Sequence, residues 1–391
     1  MESVDAGTTT VIDHAHMNYS PENNKEAIRA TIASGIRSTF CYCAHPRVTT
    51  WKPELNITKD LFPDWSISTF KELASMQPFG PNGRVRLGFA MDIMYVPPAV
   101  LKDTYAMVRG YGVHLITSHV SRIRAVHSSP SAITVLHNNA LLGPDVLLAH
   151  ANQASTEELN YLKKSGAHLS STPLSEMQMG HGHPICLRDG FAGISSIGTD
   201  SNGICTSYIP AQMRIVLQDT RAQRTEDRIQ KGLSESAVGP TVEDVYNLGT
   251  LLGAEAIGLH HEIGSLRVGK KADIVIFNGR SPSMISVSER NPIAGIVLFS
   301  SERDVQTVIV DGVIQKDDFS PKPVSIPEDI QQREDVNIIE SKSLGWWEVA
   351  AKLDESRKRL EVTRAEAVDE KLVREALIKS FSSISVTTDS K

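Results

Sequence analysis

The chain has 391 residues, 40 Lys+Arg against 46 Asp+Glu, a formal net charge of −6, and is 40% hydrophobic and 22% charged. That length suits one large domain plus a smaller one, with a core big enough to need no covalent staples. A mildly acidic chain without a basic block makes no electrostatic case for nucleic acid or an anionic membrane, and its apolar runs fall well short of the ~20 residues a bilayer span needs.

In chain order, Met1-Glu2-Ser3-Val4-Asp5 lacks the basic start and apolar stretch of a signal peptide. From Gly7 to about Arg221 a β-rich run, a turn and an amphipathic stretch then recur. The expected strands are Thr8–Asp13, Ile36–Cys43, Val85–Asp92, His114–Val120, Val146–Ala151, His168–Thr172 and Gly193–Asp200. Between them, Pro21–Ala33 and Thr156–Lys164 are expected helices, each stopped by a Ser-Gly pair. Alternation of this kind calls for a parallel sheet, because parallel neighbours need a crossover. The units fall one short of a closed (β/α)₈ barrel. Either the sheet is open, or an eighth strand is missing from the N-terminus. Beyond Arg221–Lys231, a polar stretch, Thr241–Gly258 is expected as a helix. Ala272–Phe277 and Val305–Val313 are expected strands of a small β layer. Half of Ala351–Ser380 is charged with signs interspersed, so an exposed helix is expected there, with Ser382–Lys391 as a frayed tail. These textures divide the chain into a barrel over 1–260, a β portion over 261–317 and a charged helical tail over 318–391.

Active sites of such barrels lie at the C-terminal strand ends. Polar residues that end apolar strands here are His14 and His16, His119, His150 and Asp200. Imidazoles and a carboxylate on one rim match the ligand set of a zinc or iron(II) hydrolase, in which the ion generates hydroxide near neutral pH. His14 and His16 share a strand face, so they either point inward at one metal or are ordinary rim residues. His181 and His183, in a Gly- and Pro-bounded loop, are expected to line the pocket. Cys41 and Cys43 are expected as small buried hydrophobes, and four cysteines in so long a chain form no disulfide framework, which fits a reduced, cytoplasmic setting.

The run Ala254-Glu255-Ala256-Ile257-Gly258-Leu259 into Ile263-Gly264-Ser265-Leu266 and Val268–Val275 resembles the junction from last helix to β-sandwich in the amidohydrolase superfamily. Pro173-Leu174-Ser175 through Gly180, Gly182 and Pro184, then Ile197–Ser201, are similar to its seventh and eighth strand ends, and Ala6–Asp13 to its second strand. The closer likeness is to the branch of cytosine and guanine deaminases, methylthioadenosine/S-adenosylhomocysteine deaminases and triazine chlorohydrolases. The resemblance implies a TIM-like barrel lacking its first strand, with part of a β-sandwich. It also implies one divalent metal, zinc in preference to iron. His119, His150 and Asp200 match metal positions, with Asp200 also shuttling the proton and His150 steadying the oxyanion. His181, His183, Glu176 and Asn202 fall where substrate is contacted. The implied activity is hydrolysis of a non-peptide carbon–nitrogen bond, by metal hydroxide attacking a cyclic amidine, amide or related small molecule. Two departures stand out. The family's His-x-His precedes the segment matched by Ala6–Asp13, so His14-Ala15-His16 falls one strand late. Arg122 stands where the deaminases carry a Glu, and Arg cannot shuttle a proton. The alternative they raise is a truncated, metal-free interaction partner or one that self-associates through an exposed edge.

Overall fold

The computed structural model describes residues 1–58, 60, 62–120, 130–234, 238–326 and 342–385. Seven parallel strands stand side by side in chain order: β1 (Thr10–Ala15), β2 (Arg37–Cys43), β3 (Val85–Ala90), β4 (Ile116–Val120), β5 (Val146–His150), β6 (His168–Ser171) and β7 (Ser195–Ile197). Every one of the seven expected strands is present; the first is shifted by two residues, from Thr8–Asp13 to Thr10–Ala15, and the others are trimmed by one to three residues at one or both ends. All residues of β2 are buried, whereas those of β1, which pairs only with β2, are half-buried. Among the described residues β1 and β7 are not paired with each other, so the sheet is open.

The sheet is nonetheless curled. His14 on β1 and Thr117 on β4 approach to 2.9 Å although two strands lie between them. In a flat sheet three strand spacings would hold them about 14 Å apart. Crossover helices cover the outside. In chain order the main helices are α1 (Glu2–Asp5), α2 (Pro21–Ala33), α3 (Asp64–Met76), α4 (Pro98–Gly110), α5 (Ala132–Asn138), α6 (Thr156–Ser165), α7 (Pro173–Gln178) and α8 (Ile209–Gln230). α2 starts at a Ser20 cap with Pro21 in its first turn; α6 has a Ser155/Glu158 capping box and stops at left-handed Gly166. The polar stretch Arg221–Lys231 is the solvent-facing extension of α8.

The expected helix Thr241–Gly258 is two helices, α9 (Val242–Leu248) and α10 (Leu251–Ala256). Residues from α10 onward, Ala254, Ala256, Ile257, Leu259 and Ile263, pack against Cys41, Cys43, Ala90, Leu115 and Leu147 and form a second core. Both cysteines are buried small hydrophobes, as expected. A four-stranded antiparallel sheet follows: β8 (Ile274–Phe277), β9 (Val305–Val310), β10 (Val313–Asp317) and β11 (Ser320–Pro321). It buries Val305, Val308 and Val310 against Val4 and Ala6 at the N-terminus. The tail forms α11 (Trp346–Ala367) and α12 (Glu370–Ser385); residues 386–391 of the expected frayed end lie outside the described residues. No helix among the described residues is long and apolar enough to cross a membrane.

Candidate metal centre

Strand register assembles the rim. Ala90 on β3 pairs with Thr117 on β4, so two residues further on Asp92 arrives beside His119. The Asp92 carboxylate grips His119 twice: Oδ1 accepts from the backbone N–H at 2.7 Å and Oδ2 lies 2.9 Å from Nδ1. The same Oδ2 lies 3.1 Å from His14 Nε2 and 3.4 Å from His16 Nε2. The three rings cluster, with centroid separations of 4.5 Å (His14–His16), 4.3 Å (His14–His119) and 5.3 Å (His16–His119). His14 is itself aimed: Thr117 Oγ1 sits 2.9 Å from Nδ1, which directs Nε2 at the carboxylate.

One ligand atom from each of His14, His16, Asp92 and His119 lies within 4.8 Å of the others. Three imidazole nitrogens and a carboxylate oxygen at that spacing suit a tetrahedral divalent ion such as zinc, with metal–ligand bonds of ~2.0–2.2 Å. The donor set and its spacing therefore fit a metal. The electrostatics agree with a preformed anion at the centre. Burial alone would raise the Asp92 carboxyl, but hydrogen bonds from His119, His14 and His16 hold it well below the ordinary carboxylate range. Burial pushes the His14 imidazole down; for His119 burial is outweighed by Asp92, and its pKa is raised.

His150 stands next in the row, its ring centroid 5.4 Å from that of His119. Its Nδ1 lies 3.0 Å from Thr172 Oγ1 and 3.4 Å from Glu176 Oε1, leaving Nε2 as the ring's remaining polar atom. His150 and Asp200 both hold left-handed backbone, at φ +69° and +63°. Side-chained residues seldom adopt that region, and such strain concentrates at functional sites. Asp200 is exposed and close enough to His119 to help raise its pKa, but it is not among the four clustered donors. His181 continues the row, 5.2 Å from His150 and buried.

The expected residues thus separate. His14, His16 and His119 come together on one point, and His150 and His181 flank it. His183 is largely exposed, with Nδ1 2.8 Å from Asp219. Glu176 corrects the expectation of a substrate contact: it is fully buried behind His150, where it accepts from Thr172 N–H and Asn152 Nδ2 and so positions the ring. Asn202 is exposed, and its amide donates at 2.8 Å to Glu2 on α1. Arg122 lies outside the described residues. The residue missed outright is Asp92. Its signal was present, a carboxylate two residues past the apolar end of β3, and the rule that singled out Asp200 also selects it.

A family model described as the amidohydrolase family matches residues 101–314. The chain belongs to the amidohydrolase family. It is a hydrolase of non-peptide carbon–nitrogen bonds, and its strand-end rim gathers residues that could hold a divalent metal. It is similar to a 5'-deoxyadenosine deaminase of Methanobrevibacter smithii, 27% identical over 327 residues that cover 80% of this chain and 68% of that protein. A 5-methylthioadenosine/S-adenosylhomocysteine deaminase of Moorella thermoacetica is 25% identical over 323 residues, with the same coverages of 80% and 68%. The fold matches zinc-complexed atrazine chlorohydrolase of Arthrobacter aurescens with a TM-score of 0.65 at 19% identity, over 82% of this chain and 71% of that one. The alternative of a metal-free interaction partner draws no support from a rim that gathers four ligand-type side chains.

Proposed function

We propose that this amidohydrolase is a zinc enzyme that removes the amino group of an aminated nitrogen heterocycle, with adenine nucleosides as the substrate class to test first. The observation that carries the proposal is the convergence of His14, His16 and His119 on Asp92 at the strand ends, in a chain whose relatives include adenine-nucleoside deaminases. His14, His16, Asp92 and His119 would hold the ion. Bound zinc supplies Lewis acidity and lowers the pKa of coordinated water towards neutrality. The protein's own groups do the rest. Thr117 and Asp92 fix the two inner imidazoles, which keeps reorganisation small. His150, with Nδ1 accepting from the Thr172 hydroxyl, presents Nε2–H as a hydrogen-bond donor where negative charge develops on the substrate. Asp200, exposed at the rim, is the carboxylate placed to exchange protons with the departing amine.

The test combines elemental analysis with ammonia release from 5'-deoxyadenosine. The expected result is about one zinc per chain and turnover, both lost in His119→Ala, whereas Asp200→Asn keeps the metal and loses turnover. A His119→Ala protein that retains its metal overturns the ligand set. A fully loaded wild-type protein that releases no ammonia from any aminated purine or pyrimidine overturns the substrate class.

A further inference from the structure

β2 stands between the strand that carries His14 and His16 and the strands that bring Asp92 and His119 to the rim. Its last residue is Cys43. Register puts that residue level with the centre. Across β1, His14 pairs with Cys41, so Cys43 lies two residues further towards the rim. Across β3, Cys43 pairs with Ala90, two residues before Asp92. Four successive strands, β1 to β4, therefore each bring a ligand-type side chain to the same end of the sheet.

Cys43 also faces the centre. Its Sγ lies 3.9 Å from His14 Nε2, the same nitrogen that stands 3.1 Å from Asp92 Oδ2. A nitrogen and a sulfur that share one tetrahedral zinc, with bonds of ~2.0–2.1 Å and ~2.3 Å, sit about 3.6 Å apart. A shift of a few tenths of an ångström therefore lets both atoms bind one ion. The thiol is not committed elsewhere, because its hydrogen bond to the Ala44 carbonyl is long, at 3.9 Å. Cys43 is buried, whereas the His16 side chain is 54% exposed. The sulfur thus approaches from the inner side of the centre, and His16 from the solvent side.

We propose that Cys43 is a sulfur ligand of the rim centre, added to His14, His16, Asp92 and His119. The assignment deepens the zinc reading and rests on it for the ion itself. Zinc accepts sulfur, nitrogen and oxygen together and can expand to five ligands. Burial and the Asp92 carboxylate push the lone thiol up and keep it protonated. A coordinated thiol is deprotonated outright, so its proton leaves to solvent as the metal–sulfur bond forms. A thiolate at this position favours zinc over magnesium and manganese.

Cobalt(II) tests the assignment without any turnover. Chelator-treated protein is reloaded with cobalt, whose visible bands report a bound ion and whose near-ultraviolet sulfur-to-cobalt charge-transfer band reports a thiolate ligand. Wild type is expected to show both. Cys43→Ser and Cys43→Ala, each with its fold checked by circular dichroism, are expected to keep the visible bands and lose the charge-transfer band. Cys41→Ser is expected to keep both. Visible bands without a charge-transfer band in wild type overturn the assignment and leave the histidine–aspartate centre standing, and this outcome needs no variant to fold. A charge-transfer band that persists in either Cys43 variant overturns it too. Wild type that takes up no cobalt removes the metal centre itself, and the Cys43 assignment with it.

Discussion

Three imidazole nitrogens meet one carboxylate oxygen at Asp92, and the chemistry of the rim depends on that residue more than on any other single side chain. It acts on His119 from two sides, through the backbone N–H and the ring. Replacing a carboxylate that orients or ligates usually costs ~10–100-fold in metal affinity. Asp92→Asn is therefore expected to lose zinc at chelator concentrations that wild type survives, as read by metal content after dialysis, with its fold intact by circular dichroism. A second residue-scale prediction concerns His114, just before β4 at the opposite end of the barrel from the rim. Burial pushes its pKa down to about 4, assisted by Arg86 and opposed by Glu262. The unfolded imidazole titrates near ~6.5, so between those two values the unfolded chain binds the extra proton. Stability is thus lost as pH falls through that window, and the loss is on the order of 2 kcal/mol. His114→Gln is expected to reduce the difference in unfolding free energy between about pH 4.5 and about pH 7, extrapolated from urea titrations, by that amount. An unchanged difference would place the titrating group elsewhere.

At the scale of elements, the break between α9 and α10 shows where local pattern stops being informative. Val245, Leu248, Leu251 and Leu252 keep helical spacing across the whole of Thr241–Gly258, yet the chain turns at Gly249 and Thr250. Thr250 breaks the helix with φ −132° and ψ −94°, and Gly249 beside it packs so closely on α8 that a Cβ there would run into the Met213 methyl and lie 2.8 Å from Ile209. Gly249→Ala is expected to cost about 1–3 kcal/mol by overpacking. Gly253→Ala, inside α10 with nothing nearer than 3.5 Å to its added methyl, is expected to gain up to about 1 kcal/mol. Thermal midpoints of the two variants should move in opposite directions. The strands were more legible than this helix pair. A parallel strand buried on both faces carries its signature within a handful of residues, and the register that brings Asp92 to His119 needs nothing beyond adjacent strands. The His14-Ala15-His16 pair was ambiguous for the opposite reason. Period-two spacing says that both rings share a face, and only the curl of the sheet says what that face meets.

For the whole molecule, the barrel and the small sheet are joined by buried charge as well as by apolar packing. Arg37, the first residue of β2, reaches both Asp273 oxygens at 2.7 and 2.9 Å, and Asp311 lies 3.5 Å away; all three side chains are 5–6% exposed. Breaking the pair leaves the buried Asp273 carboxylate without its cation, a loss of typically ~3–5 kcal/mol, while Asp311 keeps Lys271 at 3.1 Å. Arg37→Met is expected to lower unfolding stability by that order, whereas pairing it with Asp273→Leu should recover part of the loss in a double-mutant cycle. Near the N-terminus, Asp5 of α1 pairs at 2.8 Å with Lys316 on β10, which ties the first helix to the small sheet.

Composition, alternation and strand-end histidines by themselves determined that this is a parallel α/β chain with a metal-type rim, because burial and secondary structure are written in neighbouring residues. The proposed ligand set depends on the tertiary structure alone. Asp92 precedes His119 by 27 positions, and His14 meets Thr117 across 103. Curling the sheet brings those ends to a single point, pulls His14 and His16 into the centre, and leaves Asp200 at the margin. That curl is set by packing across many strands, and no short stretch of sequence contains it.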